Sequence, residues 1–129
     1  MEPPFTIRQL DHIVLRVRDI EKSVAFYTML GGEAHKYENR AFTVISLASN
    51  GQHLSLLPDQ DFVPAGGKGN LEHFNIVIQA RDVTEVTSYL KANGVELLNE
   101  PADEGRGVTI NLHDPDGNFL ELRLASSEA

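Results

Sequence analysis

The stretch from Leu10 to Glu33 reads LDHIVLRVRDIEKSVAFYTMLGGE, and the stretch from Leu71 to Glu96 reads LEHFNIVIQARDVTEVTSYLKANGVE. The two stretches align as copies of one unit, with His12 over His73 and the apolar positions in the same order. A repeat of this kind decides the architecture before any single element does. The sequence therefore predicts two copies of one module.

Each copy predicts a strand, then a helix, then three short strands. The first strands, 10–17 and 71–78, are rich in apolar residues and end near an aspartate suited to capping a helix. The predicted helix of the first copy ends at Gly31-Gly32, and that of the second copy ends at Asn93-Gly94. The later strands are predicted at Glu33–Tyr37, Phe42–Ala48 and Gln52–Leu57 in the first copy, and at Val95–Leu98, Val108–Leu112 and Asn118–Leu124 in the second.

The order of elements predicts an α+β fold of tandem βαβββ modules, which form a cupped, mostly antiparallel sheet with the helices on its outer face. We assign residues 8–58 to the first module, 59–70 to a linker rich in proline and glycine, and 71–124 to the second module. Residues 1–129 are expected to form a single domain, because 129 residues suit one domain.

Composition excludes several classes of function. The chain has no cysteine, which excludes disulfides, thiolate metal ligands and cysteine nucleophiles. Its 19 acidic and 11 basic side chains give a net charge of −8 with no basic cluster, so nucleic acid is not an expected partner. The sequence shows no signal peptide and no run near the roughly 18 apolar residues of a membrane span. We expect a cytoplasmic protein whose partner is a small molecule, with no membrane contact.

Strand alternation places four matched positions on the face away from the helices. His12 and His73 match in the first strand of each copy, and Ser55 and Glu121 match in the last. A lone histidine on such a face is more often simply solvated, but the repeat puts two at one place. Two imidazoles and one carboxylate suit Fe(II), Mn, Co, Ni or Zn and leave coordination positions open. The pattern predicts a divalent metal site at His12, His73 and Glu121.

The stretches LDHIVLRVRDIEKSVAFY, LEHFNIVI and DPDGNFLELR resemble the vicinal oxygen chelate superfamily, which includes glyoxalase I, extradiol ring-cleaving dioxygenases, fosfomycin-resistance enzymes and bleomycin-binding proteins. The similarity runs from about Ile7 to Leu124. It implies the glyoxalase/bleomycin resistance/dioxygenase fold and the same three metal ligands. Ser55 departs from glyoxalase I, which has a second glutamate there as ligand and base.

The resemblance implies a divalent-metal-dependent enzyme acting on a small substrate with vicinal oxygens, and the open ligand set favours an extradiol-type dioxygenase. The alternatives are a glyoxalase-like lyase or isomerase and a drug-sequestering protein of the bleomycin-resistance type, since one scaffold carries several functions. Extradiol enzymes mostly have more modules than this chain. The polar residues with which fosfomycin enzymes hold the phosphonate are not evident in residues 100–110.

Three further residues complete the predicted site. His53 lies two residues before Ser55 and is a candidate general acid or base, a role that histidine often takes. Ser55 and Asn75 are candidates for substrate binding. Family members of this length commonly form homodimers, so a homodimer is expected. Whether the metal ligands come from one chain or from two stays open at this point.

Overall fold

The computed structural model describes residues 1–65, 68–103 and 105–125. The chain divides into two compact units, Met1–Phe62 and Val63–Ala129. The division falls inside residues 59–70, the segment predicted as a linker.

The first unit follows the predicted order of one strand, one helix and three strands. Its sheet has the order β1-β4-β3-β2, in which β1 runs parallel to β4 and the other neighbours are antiparallel. The elements are β1 (His12–Val17), α1 (Ile20–Met29), β2 (Glu33–Lys36), β3 (Thr43–Ser46) and β4 (His53–Pro58).

Local sequence explains where α1 begins and ends. Asp19 is the N-cap, and its side chain accepts a hydrogen bond from the backbone N–H of Lys22 at 3.2 Å. After the helix, Gly31 takes a φ of 105°, a conformation that suits glycine. The helix packs on β2, β3 and β4. The buried apolar side chains of this unit are Leu15, Val17, Tyr27, Ile45, Leu54 and Leu56.

The second unit repeats this topology. Its sheet has the order β5-β8-β7-β6, with β5 parallel to β8 and the other neighbours antiparallel. Its elements are β5 (His73–Ile78), α2 (Val83–Ala92), β6 (Ala102–Asp103), β7 (Val108–His113) and β8 (Phe119–Leu124). Asp82 caps α2 as Asp19 caps α1. The prediction of an α+β chain built from two βαβββ modules is confirmed.

One predicted strand differs from the structure. Residues 95–98 do not form a strand; Leu97 makes only an isolated antiparallel bridge to Leu112, and the edge strand is the short β6. The backbone N–H of Val95 is used to close the end of α2, where it donates to the Leu90 carbonyl at 3.0 Å. The apolar residues of this segment suggested a strand, but its pairing with β7 is limited to this bridge and to a hydrogen bond from the Leu98 N–H to the Asn111 carbonyl at 2.9 Å.

In β1 and β8 the two faces differ in burial as the alternation predicted, whereas the middle residues of β4 and β7 are buried on both faces. In β1, Leu15 and Val17 are buried while His12, Val14 and Arg16 are exposed. In β8, Leu120 and Leu122 are buried, and Glu121 and Arg123 lie on the opposite face. The apolar face forms the core of each unit, so the other face is free to carry chemistry. Among the described residues, no helix has the length and apolar character needed to cross a membrane.

Candidate functional site

In the second unit, the parallel pairing of β5 and β8 brings two of the predicted metal ligands together. His73 lies opposite Phe119, and Asn75 lies opposite Glu121. The His73 Nε2 atom is 3.3 Å from Oε1 of Glu121. The Glu121 side chain is 17% exposed and that of His73 is 38% exposed, so both remain reachable from solvent.

This spacing fits a shared metal ion. Metal–nitrogen and metal–oxygen bonds to histidine and glutamate are about 2.0–2.2 Å long. Two donor atoms 3.3 Å apart at such bond lengths subtend an angle of about 100° at the ion. That angle lies between those of octahedral and tetrahedral coordination, so the two side chains suit the ions that a nitrogen and oxygen donor set prefers.

A neighbouring carboxylate orients the His73 ring. Oε1 of Glu72 lies 2.9 Å from Nδ1 of His73, which leaves Nε2 facing Glu121. The hydrogen bond with Glu72 raises the pKa of His73 above its ordinary value, with a further contribution from the negative charge of Glu121. A carboxylate on the far nitrogen of a ligating histidine is a common arrangement at metal sites, where it fixes the ring and increases the basicity of the ligand.

We expect the Glu72→Gln substitution to lower the pKa of His73 in the metal-free protein. The carboxylate that stabilises the imidazolium is then replaced by a neutral amide. The measurement is an NMR titration of the histidine resonances. Glu96→Gln, in the same unit but away from His73, is the control and should leave that pKa unchanged. An unchanged His73 pKa in Glu72→Gln would contradict the assigned contact.

Asn75 lies against the same carboxylate. Its Nδ2 group donates a hydrogen bond of 3.2 Å to Oε1 of Glu121, the oxygen that faces His73. The sequence predicted Asn75 as a substrate-binding residue. In the structure its contact is with a predicted metal ligand, so Asn75 also serves to hold the Glu121 carboxylate in place.

The first unit presents His12 in a parallel arrangement. Oδ2 of Asp11 lies 2.7 Å from Nδ1 of His12. The hydrogen bond with His12 lowers the pKa of Asp11, and the charges of His12 and His53 act in the same direction. Both repeats therefore place an acidic residue directly before the histidine and against its Nδ1 atom. Nε2 of His12 is left as the nitrogen available to a metal.

His53 stacks on His12. The two rings are 4.6 Å apart between centroids with an interplanar angle of 10°, because the two residues lie opposite each other on β1 and β4. Nδ1 of His53 is 3.1 Å from the Gly51 carbonyl. Donor atoms of Asp11, His12 and His53 all lie within 4.8 Å of one another. The predicted acid or base is thus in direct contact with a predicted metal ligand.

Ser55 has a different environment. It is 4% exposed and lies between Val14 on β1 and Val44 on β3. It occupies the position that Glu121 occupies in the second unit, since each lies opposite the residue two places beyond the histidine. Its predicted contact with substrate stays a prediction.

The structure therefore groups the predicted residues into two sets, one within each unit. His73, Asn75 and Glu121 are in contact in the second, and His12 and His53 in the first. Sequence reasoning missed Asp11 and Glu72. A signal was present, because the repeat aligns Asp-His with Glu-His at the start of each module.

Comparison with known proteins places these residues in a family context. The Glyoxalase/Bleomycin resistance protein/Dioxygenase superfamily matches residues 9–122. Glutathione transferase FosA of Serratia marcescens is 27% identical over 95% of this chain and 85% of its own length. A glyoxalase domain-containing protein of Mycosarcoma maydis is 25% identical over 91% of this chain and 68% of its own length.

Solved structures share the fold. A variant of FosX, the fosfomycin resistance protein of Listeria monocytogenes, is 26% identical, covers 95% of this chain and 94% of its own, and has a TM-score of 0.73. That structure holds Mn(II) and 1S,2S-dihydroxypropylphosphonic acid. A glyoxalase/dioxygenase from Nostoc punctiforme is 19% identical, with a TM-score of 0.79 and coverage of 98% of this chain and 97% of its own.

Proposed function

This chain belongs to the glyoxalase/bleomycin resistance protein/dioxygenase superfamily, and from that membership we propose that it is an enzyme that binds one divalent metal ion and acts on a small substrate with two neighbouring oxygen atoms. The observation that carries the proposal is the contact of His73 Nε2 with Glu121 at 3.3 Å, backed by Glu72 on the far nitrogen of the ring. A histidine and a carboxylate in contact, with a second carboxylate that fixes the histidine ring, are more typical of a metal site than of a solvated surface.

We assign the metal ligands to His12, His73 and Glu121. His12 and His73 occupy matched positions of the repeat, each with a carboxylate on Nδ1. The ion would be Fe(II), Mn, Co, Ni or Zn, and the Mn(II) in the FosX relative supports a metal of this class. When bound, such an ion acts as a Lewis acid toward two oxygens of a substrate.

The remaining residues are assigned supporting roles. His53, stacked on His12 and half-buried, is placed to act as a general acid or base. Asn75 holds the Glu121 carboxylate through its amide N–H. Ser55, small and buried, leaves the corresponding position of the first unit without a charged ligand.

The first reaction to test is ring cleavage by an extradiol-type dioxygenase, because two histidines and one carboxylate leave positions open for both a catechol and oxygen. We expect the Fe(II)-loaded protein to consume oxygen when a panel of catechols is added, as measured with an oxygen electrode. The Glu121→Gln variant is the matched control and should consume none. Absence of oxygen uptake with every catechol would reject this reaction but would not contradict the proposed metal site.

A second candidate is an oxygen-independent reaction, which is favoured by the similarity to FosA and FosX. It predicts turnover under nitrogen with Mn(II), Ni(II), Co(II) or Zn(II), tested by following the loss of fosfomycin with and without glutathione. A glyoxalase-like lyase or isomerase belongs to the same class. Because glyoxalase I has a glutamate at the place of Ser55, Ser55→Glu should improve that activity and leave dioxygenase activity no higher.

A protein that sequesters a drug without converting it is the remaining alternative. It would bind one drug molecule per site with an affinity that a chelator does not change. Titration of bleomycin into the protein, with and without EDTA, distinguishes this function from the metal-dependent ones.

A further inference from the structure

We propose that Arg123, with Asn111 beside it, forms a subsite that binds the carboxylate or phosphonate group of a small substrate. The proposal rests on the proposed function, because it takes Glu121 as the place where the metal is held. It narrows the substrate class to small anionic molecules whose neighbouring oxygens bind the metal.

The strand register places these residues on one face. Arg123 follows Glu121 by two positions on β8, so both side chains leave the same side of the sheet, with their Cα atoms about 7 Å apart. Asn111 on β7 lies opposite Glu121, and Thr109 lies opposite Arg123. The metal ligand Glu121 therefore has a cation on one side along its own strand and an amide on the neighbouring strand. A molecule of a few carbon atoms can span this distance.

Arg123 is held in place but not neutralised. Its Nη1 group donates a hydrogen bond of 2.8 Å to the carbonyl of Arg106, and its Cγ atom passes close to Gly107. Gly107 has a φ of 111°, and a Cβ there would lie 2.6 Å from the Leu124 carbonyl. No carboxylate pairs with Arg123 in the described part of the chain, although the protein has 19 acidic residues. Its remaining N–H groups are available to an external oxyanion.

Asn111 provides an independent sign of a missing partner. It is 8% exposed, and its Nδ2 group donates to Oδ1 of Asn99 at 3.2 Å. Its Oδ1 atom is buried and has no hydrogen-bond partner among the residues that the structure describes. If both amides were turned over, Nδ2 of Asn111 would be the atom without a partner instead. A buried polar atom left unpaired costs free energy, which a bound hydroxyl or anionic group next to Glu121 would offset.

The first unit shows that the fold does not require these polar residues. By strand register, Ser55 corresponds to Glu121 and Leu57 to Arg123, while Val44 corresponds to Asn111. The same sheet positions thus carry leucine and valine in one copy and arginine and asparagine in the other. Since both sheets form, folding does not require Arg123 and Asn111, and we assign these two residues to binding.

The test uses two matched pairs of probes that differ by one anionic group: 3,4-dihydroxybenzoate with catechol, and 1,2-dihydroxypropylphosphonate with propane-1,2-diol. Binding is measured by calorimetry under nitrogen, to Mn(II)-loaded and to metal-free protein. We expect wild-type protein to bind the anionic member of at least one pair about tenfold tighter or more, since a charge-assisted hydrogen bond contributes on that scale. The pair that shows the preference tells carboxylate from phosphonate.

Substitutions that introduce the matching residues of the first unit test whether Arg123 and Asn111 form the subsite. Arg123→Leu should remove the preference while leaving the affinity for catechol or propane-1,2-diol within about twofold, since neither needs a cation. Arg123→Lys should keep part of the preference, because it keeps the charge without the planar fork. Asn111→Val should weaken binding of the preferred probe about fivefold through loss of one hydrogen bond. Arg81→Gln, which removes the same charge elsewhere in this unit, should change nothing.

Two outcomes would overturn the subsite: no preference for either anionic probe in wild-type protein, or a preference that survives Arg123→Leu. Failure of the proposed function gives a different result. If no metal binds, elemental analysis reports it, and the metal-free titrations still decide the subsite. In the metal-free protein, anion binding that depends on Arg123 supports the subsite, and the absence of such binding rejects the subsite.

Discussion

The His73→Ala protein is expected to retain almost no metal. Loss of residues behind a ligand typically costs 10–100-fold in metal affinity, so loss of the ligand itself should cost about 100-fold or more. The measurement is elemental analysis of protein purified without chelator and again after reconstitution with Mn(II), Fe(II) or Zn(II). Wild-type protein should hold about one equivalent of a single metal, given one ligand set of this type.

His35→Ala is the matched control for that experiment. His35 is half-exposed on β2, and its nearest acidic partner, Glu33, is 3.8 Å away, so it takes no part in the predicted ligand set. Its metal content should equal that of the wild type. Equal metal content in His73→Ala and wild type would remove His73 from the site. A wild type that binds no metal even after reconstitution would favour a metal-free sequestering protein.

Sequence predicted the parts of the molecule that periodicity controls. The repeat of strand, helix and three strands follows from apolar alternation and from capping residues such as Asp19 and Asp82, which act locally. The face that carries His73, Asn75 and Glu121 follows from the same alternation. The contact between Asn75 and Glu121 follows from the parallel register of β5 and β8, which the sequence alone does not define.

The missed features depend on contacts that periodicity does not describe. The roles of Asp11 and Glu72 depend on side chains turning back onto the ring of the next residue. The strand expected at residues 95–98 is reduced to one bridge to β7, and the extent of pairing between two segments is a contact that periodicity does not describe. The position of the Asn111 amide depends on its hydrogen bond to Asn99, twelve residues earlier in the chain.

Substitutions at two adjacent residues of β8 should affect different properties, one the stability of the fold and the other the binding of metal. Leu120 is fully buried between Phe74 on β5 and Leu112 on β7, whereas Glu121 faces the other side of the sheet. We expect Leu120→Ala to lower the free energy of unfolding by about 2–5 kcal/mol, because it removes apolar contacts and leaves a cavity. Leu98→Ala, at a position 42% exposed, should change it by no more than about 0.5 kcal/mol. Urea denaturation followed by circular dichroism measures both.

The folded Leu120→Ala protein should still bind its metal, because the substitution lies on the face that carries no ligand. Glu121→Gln should behave in the opposite way. It should lose the metal, while the free energy of unfolding measured on metal-free protein changes by less than about 1 kcal/mol, as is usual when a partly exposed side chain is replaced by one of the same shape. Metal loss in Leu120→Ala with the fold intact would mean that the apolar face sets the position of Glu121. A large loss of stability in metal-free Glu121→Gln would mean that its contacts with His73 and Asn75 hold the sheet together.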